Sequence, residues 1–537
     1  MIRLAVIFLI LNLLFSGLVW TDYPYLPLLA VEVLFLSAVF SCLGQSAARK
    51  GLAYFTGGIY ALLAACASAD ALIRQSLGRP LNLYLDIELA SAIVDQLTSN
   101  LGLVLACVMF AGVAILLGGL AFLVGKLLLG FGPHRRLALP GLTGFVGSVV
   151  VLGLIIFFMP SSLPKKIAGA PLVGFATKQV ERAAGTLEAT RAFEQRMATI
   201  EDGYSVEARA LDRFSTADVV LGFIESYGIT TLADERYRPQ ISKRLDIMQQ
   251  ALDAADLHVV TGRLRSPVQG GQSWLAHATL LSGLWIDSQL HYETLLASDH
   301  PTLIDDFIAT GHDAVAVMPG ITMAWPEGRQ FGYTRIHDAD TMDYEGPPLN
   351  WVTMPDQYTW SWFQNNVRAP ATKPVFAELA LISSHAPWVP ILPVIEDWGS
   401  IGTGDVFNQW KDTGETPVSL WRDTERVRDH YVRAIDYALN VTTQYAIRHV
   451  DDNTLLIVLG DHQPAPLVTG EGAGRDVPVH IISGNPALLQ PFVGKAGLAG
   501  FRRGTLPAMS SGGVGMDDLR PFLHQHFSSP LSLSAVN

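Results

Sequence analysis

Three apolar runs that follow residue 216 each end in residues that can bind a metal ion or move a proton. Glu225 follows one run, His385 follows a second and the pair Asp461-His462 follows a third. Ligands of open α/β sheets bind beyond the carboxyl ends of the strands, so these side chains are predicted to meet at one sheet edge. Two carboxylates and an imidazole suit one divalent metal ion, Mn²⁺ or Zn²⁺. The sequence therefore predicts a metal site there.

A serine is a candidate nucleophile for the same site. Ser273 follows the double glycine Gly270-Gly271 and opens an apolar helical segment. A helix N-terminus stabilises an anion, and a bound cation lowers the pKa of a coordinated alcohol. Ser273 is thus placed to attack a phosphoester. Considered alone, it would be interpreted as the N-cap of its helix.

Two further histidines are weaker candidates for contact with a substrate. His277 lies one turn after Ser273 on the same helix face, where it either shuttles a proton or packs the helix. His480 lies in a predicted strand, where it either lines the site or sits inside the sheet. The sequence leaves both pairs of alternatives open.

The elements that position these residues alternate between strands and helices, which predicts a doubly wound α/β domain. The predicted strands are Val219–Ile224, His258–Thr261, Ala314–Met318, Phe376–Ile382, Leu455–Leu459 and Val477–Ile482. The predicted helices are Gln240–Ala254, Ser273–Leu284, Thr302–Thr310 and Thr424–His449. Pro347–Tyr358 and Ile395–Pro417 are interpreted as loops that shape a substrate cleft.

The first part of the chain is predicted to cross a membrane five times, because it contains apolar stretches close to the roughly 20 residues that a span needs. The predicted spans are Leu4–Trp20, Pro27–Leu43, Leu52–Leu72, Leu101–Leu129 and Leu139–Met159. A cleaved signal peptide is the alternative for the first stretch. The basic residues fall on one side of alternating spans, which is then cytoplasmic; they are Arg3, Arg49-Lys50, Lys126 and His134-Arg135-Arg136.

These patterns divide the chain into three regions. Residues 1–160 are the predicted transmembrane region, 161–215 a juxtamembrane linker with a helix over about Val173–Ile200, and 216–537 the catalytic domain. An odd number of spans places the catalytic domain outside the cytoplasm. A multi-pass protein of a bacterial inner membrane with a periplasmic domain is the predicted location.

Composition supports a membrane-integral protein and excludes other classes. The chain has 537 residues, of which 50% are apolar and 16% charged, and its net charge of −12 argues against nucleic acid as a partner. The mean hydropathy of +0.30 lies between those of soluble enzymes and pure transporters. The cysteines Cys42, Cys66 and Cys107 all lie in apolar stretches, so disulfides and thiolate zinc sites are not expected.

The combination of motifs resembles the alkaline phosphatase and sulfatase-like superfamily. Its membrane-anchored branch includes lipoteichoic acid synthases, phosphoglycerol transferases and phosphoethanolamine transferases. The resemblance makes Glu225 the first metal ligand, Ser273 the nucleophile and a metal ligand, and Asp461 with His462 the final ligand pair. Ser-His-Ala-Pro resembles the family element whose histidine contacts the transferring phosphate, which falls on His385.

The sequence departs from this family at several positions. The transferases usually carry threonine as nucleophile, whereas Ser273 stands here. Trp325 is near an aromatic residue that flanks the substrate in lipoteichoic acid synthases, but the histidine and arginine that accompany it in the family are not beside it. Ser266-Pro267 does not fit the sulfatase motif that yields formylglycine, because the proline comes one place too early. The resemblance therefore leaves the recognised headgroup open.

What the resemblance implies is a metal-dependent transferase. It would move a phosphoglycerol or phosphoethanolamine type of headgroup from a membrane phospholipid donor to a glycan or lipid acceptor through a seryl intermediate. A phosphodiester or sulfate-ester hydrolase with the same site is the first alternative. A non-enzymatic membrane receptor or assembly factor is the second, and the complete set of candidate ligands argues against it.

Overall fold

The computed structural model describes residues 2–18, 28–87, 93–94, 97–98, 101–131, 168–203, 210–494, 497–510 and 512–529. The chain divides into two compact units. The first comprises Met1–Arg74 with Arg79–Ala189, and the second comprises Gln75–Gly78 with Thr190–Asn537. The predicted fifth span and the basic residues 134–136 lie outside the described residues.

Two helices in the described part of the chain are long and apolar enough, by length and composition, to span a membrane. They are Ala47–Leu77, with 31 residues, and Leu103–Leu129, with 27 residues. The predicted third and fourth spans fall on these helices. The first two predicted spans correspond to shorter helices of 16 and 12 residues, Ile2–Gly17 and Val31–Cys42. The described part of the chain therefore holds two helices of spanning length, and the five-span topology stays a prediction.

The second predicted span is shorter than expected because its first residues are extended. Leu29–Ala30 (β1) pairs in parallel with Ala168–Gly169 (β2), so the helix begins only at Val31. The helix that contains the third predicted span begins earlier than that span, at Ala47. Arg49 lies in the first turn of this helix, is 5% exposed, and donates to the carbonyl oxygens of Leu129 and Phe131. These bonds satisfy carbonyl groups at a helix C-terminus.

The second unit is built on a nine-stranded mixed sheet. Its strands are Asp218–Ile224 (β3), His258–Arg265 (β4), Asp313–Met318 (β5), Arg335–Asp338 (β6), Val375–Leu381 (β7), Thr454–Gly460 (β8), Asp476–Ser483 (β9), Arg502–Arg503 (β10) and Val514–Gly515 (β11). Their order is β10-β4-β9-β8-β3-β7-β5-β6, with β11 beside β4. β9 runs antiparallel to β4 and β8, whereas β3 is parallel to both β7 and β8. All six predicted strands are confirmed.

Helices cover both faces of this sheet because the side chains of the central strand alternate between two cores. Val220 and Ile224 of β3 pack in one core, and Leu221 and Phe223 pack in the other. Helices Arg238–Ala254, Asp356–Phe363 and Thr424–His449 contribute to the first core. Helices Ser273–Ser282, Gln289–Leu296, Leu303–Thr310 and Leu519–Phe527 contribute to the second. The four predicted helices and the double winding are thus observed.

The remaining helices are mostly short. A helix over Pro171–Gly203 contains the predicted juxtamembrane helix. Single α-helical turns are Leu83–Asp86, Thr230–Ala233, Pro326–Gln330, Pro417–Leu420, Pro466–Thr469 and Pro486–Leu489. Turns of 3₁₀-helix are Asp212–Phe214, Trp398–Ser400, Asp405–Trp410, Gln490–Phe492 and Met516–Asp518, and Gln364–Arg368 is a π-helical turn.

Several observed elements were not predicted, and two of them have a clear physical reason. The predicted loop Pro347–Tyr358 ends in the first turn of helix Asp356–Phe363, which is buried all round and so lacks the one-sided apolar pattern that predicts a helix. Strand β6 was not predicted, because its four residues, Arg-Ile-His-Asp, are half-buried at the sheet edge and lack an apolar run.

Candidate active site

The central strands deliver the predicted ligands to one point. The register pairs Ile224 of β3 with Leu381 of β7 and with Gly460 of β8. Residues that follow these three strands therefore leave the sheet at the same level. A side chain on Gly460 would clash with the carbonyl oxygen of Tyr227, only 1.9 Å from the position of a Cβ atom. Glycine here allows the chain after β8 to approach the chain after β3.

Among the described residues, one group contains at least three His, Cys, Asp or Glu side chains that could hold a metal ion together. It consists of Glu225, Asp461 and His462. One ligand atom from each lies within 4.8 Å of the others. His462 Nε2 is 3.5 Å from Glu225 Oε1 and 3.6 Å from Asp461 Oδ2. Three of the four ligands predicted from sequence are thus brought together.

The backbone around Asp461 holds this arrangement. Ser226 has a φ angle of 57°, a left-handed conformation that a non-glycine residue rarely adopts. In this conformation its N–H donates to Asp461 Oδ1 at 2.7 Å, and the N–H of His462 donates to the same oxygen at 2.6 Å. Asp461 Oδ2 is left to face the cluster. Ser226 was not predicted, because a backbone conformation has no signature in a single serine.

Ser273, the fourth predicted ligand, completes the cluster. Its Oγ lies 3.2 Å from Glu225 Oε2 and 3.2 Å from His462 Nε2. The helix N-cap is Gln272, which has a left-handed φ of 65°, and Ser273 is the first helical residue. The interpretation of Ser273 as the N-cap is therefore wrong. Its hydroxyl contacts the carboxylate and imidazole instead of capping its own helix.

The donor set fits a divalent cation. His462 Nδ1 lies 2.9 Å from the carbonyl oxygen of Gln463, which can only accept a hydrogen bond, so Nδ1 carries a hydrogen. Nε2 is then the nitrogen that faces the two carboxylates, as in metal-binding histidines whose other nitrogen donates to a carbonyl. Within the described ranges, neither Lys nor Arg pairs with Glu225 or Asp461. Acceptor atoms thus converge where the chain supplies little positive charge.

The pKa shifts of these residues reflect the burial of several ionisable groups close to one another. Burial raises the pKa of Asp461, and the negative charge of Glu225 raises it further. Burial alone would raise the pKa of Glu225, but the nearby charges of His462 and His385 outweigh it and lower the pKa. Burial opposes protonation of His462, yet Asp461 and Glu225 raise its pKa. Two carboxylates and one imidazole are therefore buried together.

His385 lies beside this cluster on a loop fixed at two points. Ser384 Oγ donates to the backbone oxygen of Glu225 at 2.6 Å. The N–H of Ser383 donates to Asp356 Oδ1, and Ser383 Oγ accepts from the N–H of Asp356. His385 Nδ1 is 2.6 Å from the carbonyl oxygen of Ala386, so Nδ1 carries a hydrogen and Nε2 is left for a ligand.

The weaker candidates occupy different places. His480 is fully buried inside the sheet, with Nε2 3.1 Å from the Tyr227 hydroxyl and Nδ1 2.9 Å from Thr261 Oγ1. Burial lowers the pKa of His480 to about 4. His480 therefore does not line the site. Trp325 is half-buried and packs against Tyr333, with 6.2 Å between ring centroids.

His277 has a partner that the sequence analysis missed. Its Nδ1 is 2.7 Å from Oε1 of Glu378, a residue of β7 whose side chain is 1% exposed. The hydroxyl of Tyr333 donates to the other carboxylate oxygen. The signal in the sequence was an acidic residue inside the apolar strand Phe376–Ile382, where an unpaired charge would be costly.

No protein-family profile matches the chain, and no curated protein matches it in sequence. Solved structures do resemble it. One is the lipooligosaccharide phosphoethanolamine transferase A of Neisseria meningitidis, at 13% identity, covering 97% of this chain and 95% of that chain with a TM-score of 0.41. Another is the phosphoglycerol transferase GacH of Streptococcus pyogenes, solved with sn-glycerol-1-phosphate. Its identity is 13%, the match covers 64% of this chain and 83% of that chain, and the TM-score is 0.39.

A third similar structure is the lipoteichoic acid synthase LtaP of Listeria monocytogenes. Its identity is 12%, the match covers 62% of this chain and 78% of that chain, and the TM-score is 0.38. These are the three kinds of protein that the sequence motifs resemble, so the predicted resemblance is confirmed.

Proposed function

We propose that this protein is a membrane-integral, metal-dependent transferase that moves a phosphorus-containing headgroup from a phospholipid to a glycan or lipid acceptor. The observation that carries the proposal is the position of Ser273 Oγ, 3.2 Å from both Glu225 Oε2 and His462 Nε2. A hydroxyl among metal-binding acceptors, at the first residue of a ten-residue helix, suits attack on an anionic phosphoester.

Glu225, Asp461, His462 and Ser273 would hold one divalent cation, Mn²⁺ or Zn²⁺. When bound, such a cation supplies Lewis acidity that lowers the pKa of the serine hydroxyl and offsets the charge of the phosphoester. Asp461 and Glu225 are held by backbone and side-chain hydrogen bonds, so the ligands are arranged before the substrate binds.

The reaction has two displacements at phosphorus. Ser273 Oγ attacks the donor, the bond from phosphorus to the lipid alcohol breaks, and the headgroup phosphate stays on the serine. An acceptor hydroxyl then attacks phosphorus, and the bond to Ser273 breaks. His385, through Nε2, binds a phosphate oxygen or gives a proton to the departing alcohol.

The donor is a membrane lipid and the catalytic unit is extracytoplasmic in this proposal. Two helices of spanning length support a membrane location, and Arg3 with Lys126 supports a cytoplasmic side opposite the catalytic unit. Anchoring raises the effective concentration of a bilayer-resident donor at the site. The proposed topology is the five-span arrangement of a bacterial inner membrane.

The test is intact-mass analysis of the full-length protein in lipid nanodiscs of mixed bacterial phospholipids, with added Mn²⁺ or Zn²⁺. We expect a metal-dependent adduct on the wild-type protein and on Ser298→Ala, whose serine lies outside the site, but none on Ser273→Ala. The mass of the adduct identifies the headgroup. Release of free headgroup without transfer to an acceptor would favour a hydrolase, and the absence of both adduct and release would contradict the proposal.

A further inference from the structure

The nucleophile's helix carries a second ionisable group that the proposed metal cluster does not use. His277 lies four residues after Ser273, and its Nδ1 is 2.7 Å from Glu378 Oε1. Side chains four residues apart on a helix lie one above the other, and they lean toward the helix N-terminus. The imidazole of His277 is thus on the face of the helix from which Ser273 projects.

Glu378 fixes the tautomer of this imidazole. A carboxylate accepts hydrogen bonds, so His277 Nδ1 carries the hydrogen and Nε2 can accept a proton. Glu378 is itself held, because Tyr333 donates to its second oxygen. In the described part of the chain, Nε2 of His277 forms no hydrogen bond, and the side chain is 14% exposed.

The packing places the imidazole near the ligand cluster. Phe223, two residues before Glu225 on β3, stacks on the His277 ring with 3.7 Å between centroids. Glu378 lies beside Leu221 in the register of β3 and β7. Helix packing alone does not require a buried carboxylate at position 378, since an apolar side chain would avoid its desolvation cost.

We propose that His277 is the acid–base residue for the Ser273 side of the reaction, with Glu378 and Tyr333 as positioning residues. This inference rests on the proposed function. In the first displacement, the proton of Ser273 Oγ moves to His277 Nε2, directly or through one water, as the Oγ–phosphorus bond forms and the bond to the donor alcohol breaks. In the second, the acceptor oxygen bonds to phosphorus, the Oγ–phosphorus bond breaks, and His277 returns the proton to Oγ.

Other groups transfer the proton of the donor or acceptor alcohol, which lies on the side of phosphorus opposite Ser273. The donor alcohol receives a proton and the acceptor loses one through His385 or water. His277 then starts and ends each cycle in the same state. The division predicts that loss of His277 slows cleavage of the serine–phosphorus bond, and that it slows formation of this bond less when the donor carries a good leaving group.

The test uses bis(4-nitrophenyl) phosphate with the metal-loaded, full-length protein. Nitrophenolate leaves readily, so formation of the adduct depends little on the removal of the serine proton, whereas its breakdown requires a proton for a poor leaving group. His277→Asn keeps a donor for Glu378 but lacks Nε2. We expect its initial release of nitrophenolate to persist while breakdown of the Ser273 adduct slows by about 10²–10⁴-fold, so that the adduct accumulates.

Further variants separate catalysis from folding. Glu378→Gln should slow breakdown as His277→Asn does, and the double variant should be no slower, because both remove the same function. Tyr333→Phe removes only one hydroxyl and should slow breakdown by a smaller factor. His258→Gln, at the first residue of β4, is the matched control and should behave as wild type. Metal content and unfolding midpoints are measured for each variant.

The outcomes are distinguishable. Wild-type breakdown rates in His277→Asn or in Tyr333→Phe would overturn the role of His277 while leaving the proposed function intact. If the His277 and Glu378 variants fail to fold, Tyr333→Phe decides, because accumulation of its adduct supports the role. A wild-type protein that forms no Ser273-dependent adduct would instead contradict the proposed function itself.

Discussion

Two buried groups of the second unit combine carboxylates with histidine, yet they differ in charge. In the first, Asp306 is fully buried and accepts from Arg520 Nε at 2.8 Å and from His524 Nε2 at 2.9 Å. In the second, Glu225 and Asp461 share His462 and, among the described residues, have no Lys or Arg partner.

The pKa values follow this difference. Burial would raise the pKa of Asp306, but hydrogen bonds from His524 and Arg520 lower it. Asp461 has the raised pKa described above, because burial and Glu225 act in the same direction. A buried carboxylate with its own cations ties elements together, here the last helix to the rest of the unit. Carboxylates that lack sufficient cations of their own suit a ligand that brings positive charge.

The largest expected effect comes from removing a charge from the second group. Glu225→Gln should lower turnover by at least about 10²–10³-fold, as loss of one stabilising group in an active site does, and should lower bound metal below one ion per chain. The apoprotein should also lose some stability, because the charges of His462 and His385 hold the pKa of Glu225 below its usual value and so favour its charged form in the folded state. Metal analysis and calorimetry check this. An earlier unfolding transition with full metal content would contradict the comparison.

Asp306→Asn should have the opposite profile. Breaking a buried ion pair by removing one partner leaves Arg520 uncompensated, and it costs about 3–5 kcal/mol of the free energy of unfolding. Metal content and the rate per folded molecule should stay at the wild-type level. Denaturant unfolding, followed by activity at low temperature, measures both, and loss of metal without loss of stability would refute the assignment.

Adding the metal should stabilise the wild-type protein but not Glu225→Gln. A ligand that binds only the folded state at 100 times its dissociation constant adds about 2.7 kcal/mol. The measurement is the unfolding midpoint of the EDTA-treated protein, titrated with Mn²⁺ or with Zn²⁺. Equal shifts in wild type and variant would indicate that the ion binds elsewhere.

Another buried carboxylate, Asp356, extends the comparison with a smaller expected effect. Burial raises the pKa of Asp356 from its usual value to about 7, and its Oδ2 has no hydrogen-bond partner among the described residues. The folded state then holds a proton that the unfolded state releases near about pH 4.

Stability of the wild-type protein should therefore fall as pH rises from about 4 to about 7, by at most about 1.4 kcal/mol per pH unit from this group. Asp356→Asn removes this contribution, so its stability relative to wild type should grow over the same window. Denaturant unfolding at a series of pH values measures the difference. A constant difference across the window would show that Asp356 titrates normally.

Much of the site was predictable because it depends on local sequence. Glu225, His385 and Asp461-His462 each follow an apolar run, and parallel strands bring their carboxyl ends to one edge. The order of these motifs also carried the family resemblance. What was missed lacks a local signal: the helix over Asp356–Phe363 has no polar face, and the conformation of Ser226 depends on Asp461.

Sequence alone therefore determined six of the nine strands of the mixed sheet, four helices and the four candidate ligands, because apolar periodicity and the residues that end it are properties of short segments. Only the tertiary structure decided which distant groups meet. His277 and Glu378 are 101 residues apart and pair because the register of β3 and β7 and the packing of the Ser273–Ser282 helix bring them together. The tertiary structure also placed His480 inside the sheet and brought Arg520 within hydrogen-bond distance of Asp306. Such pairings depend on strand order and packing, which no short segment encodes.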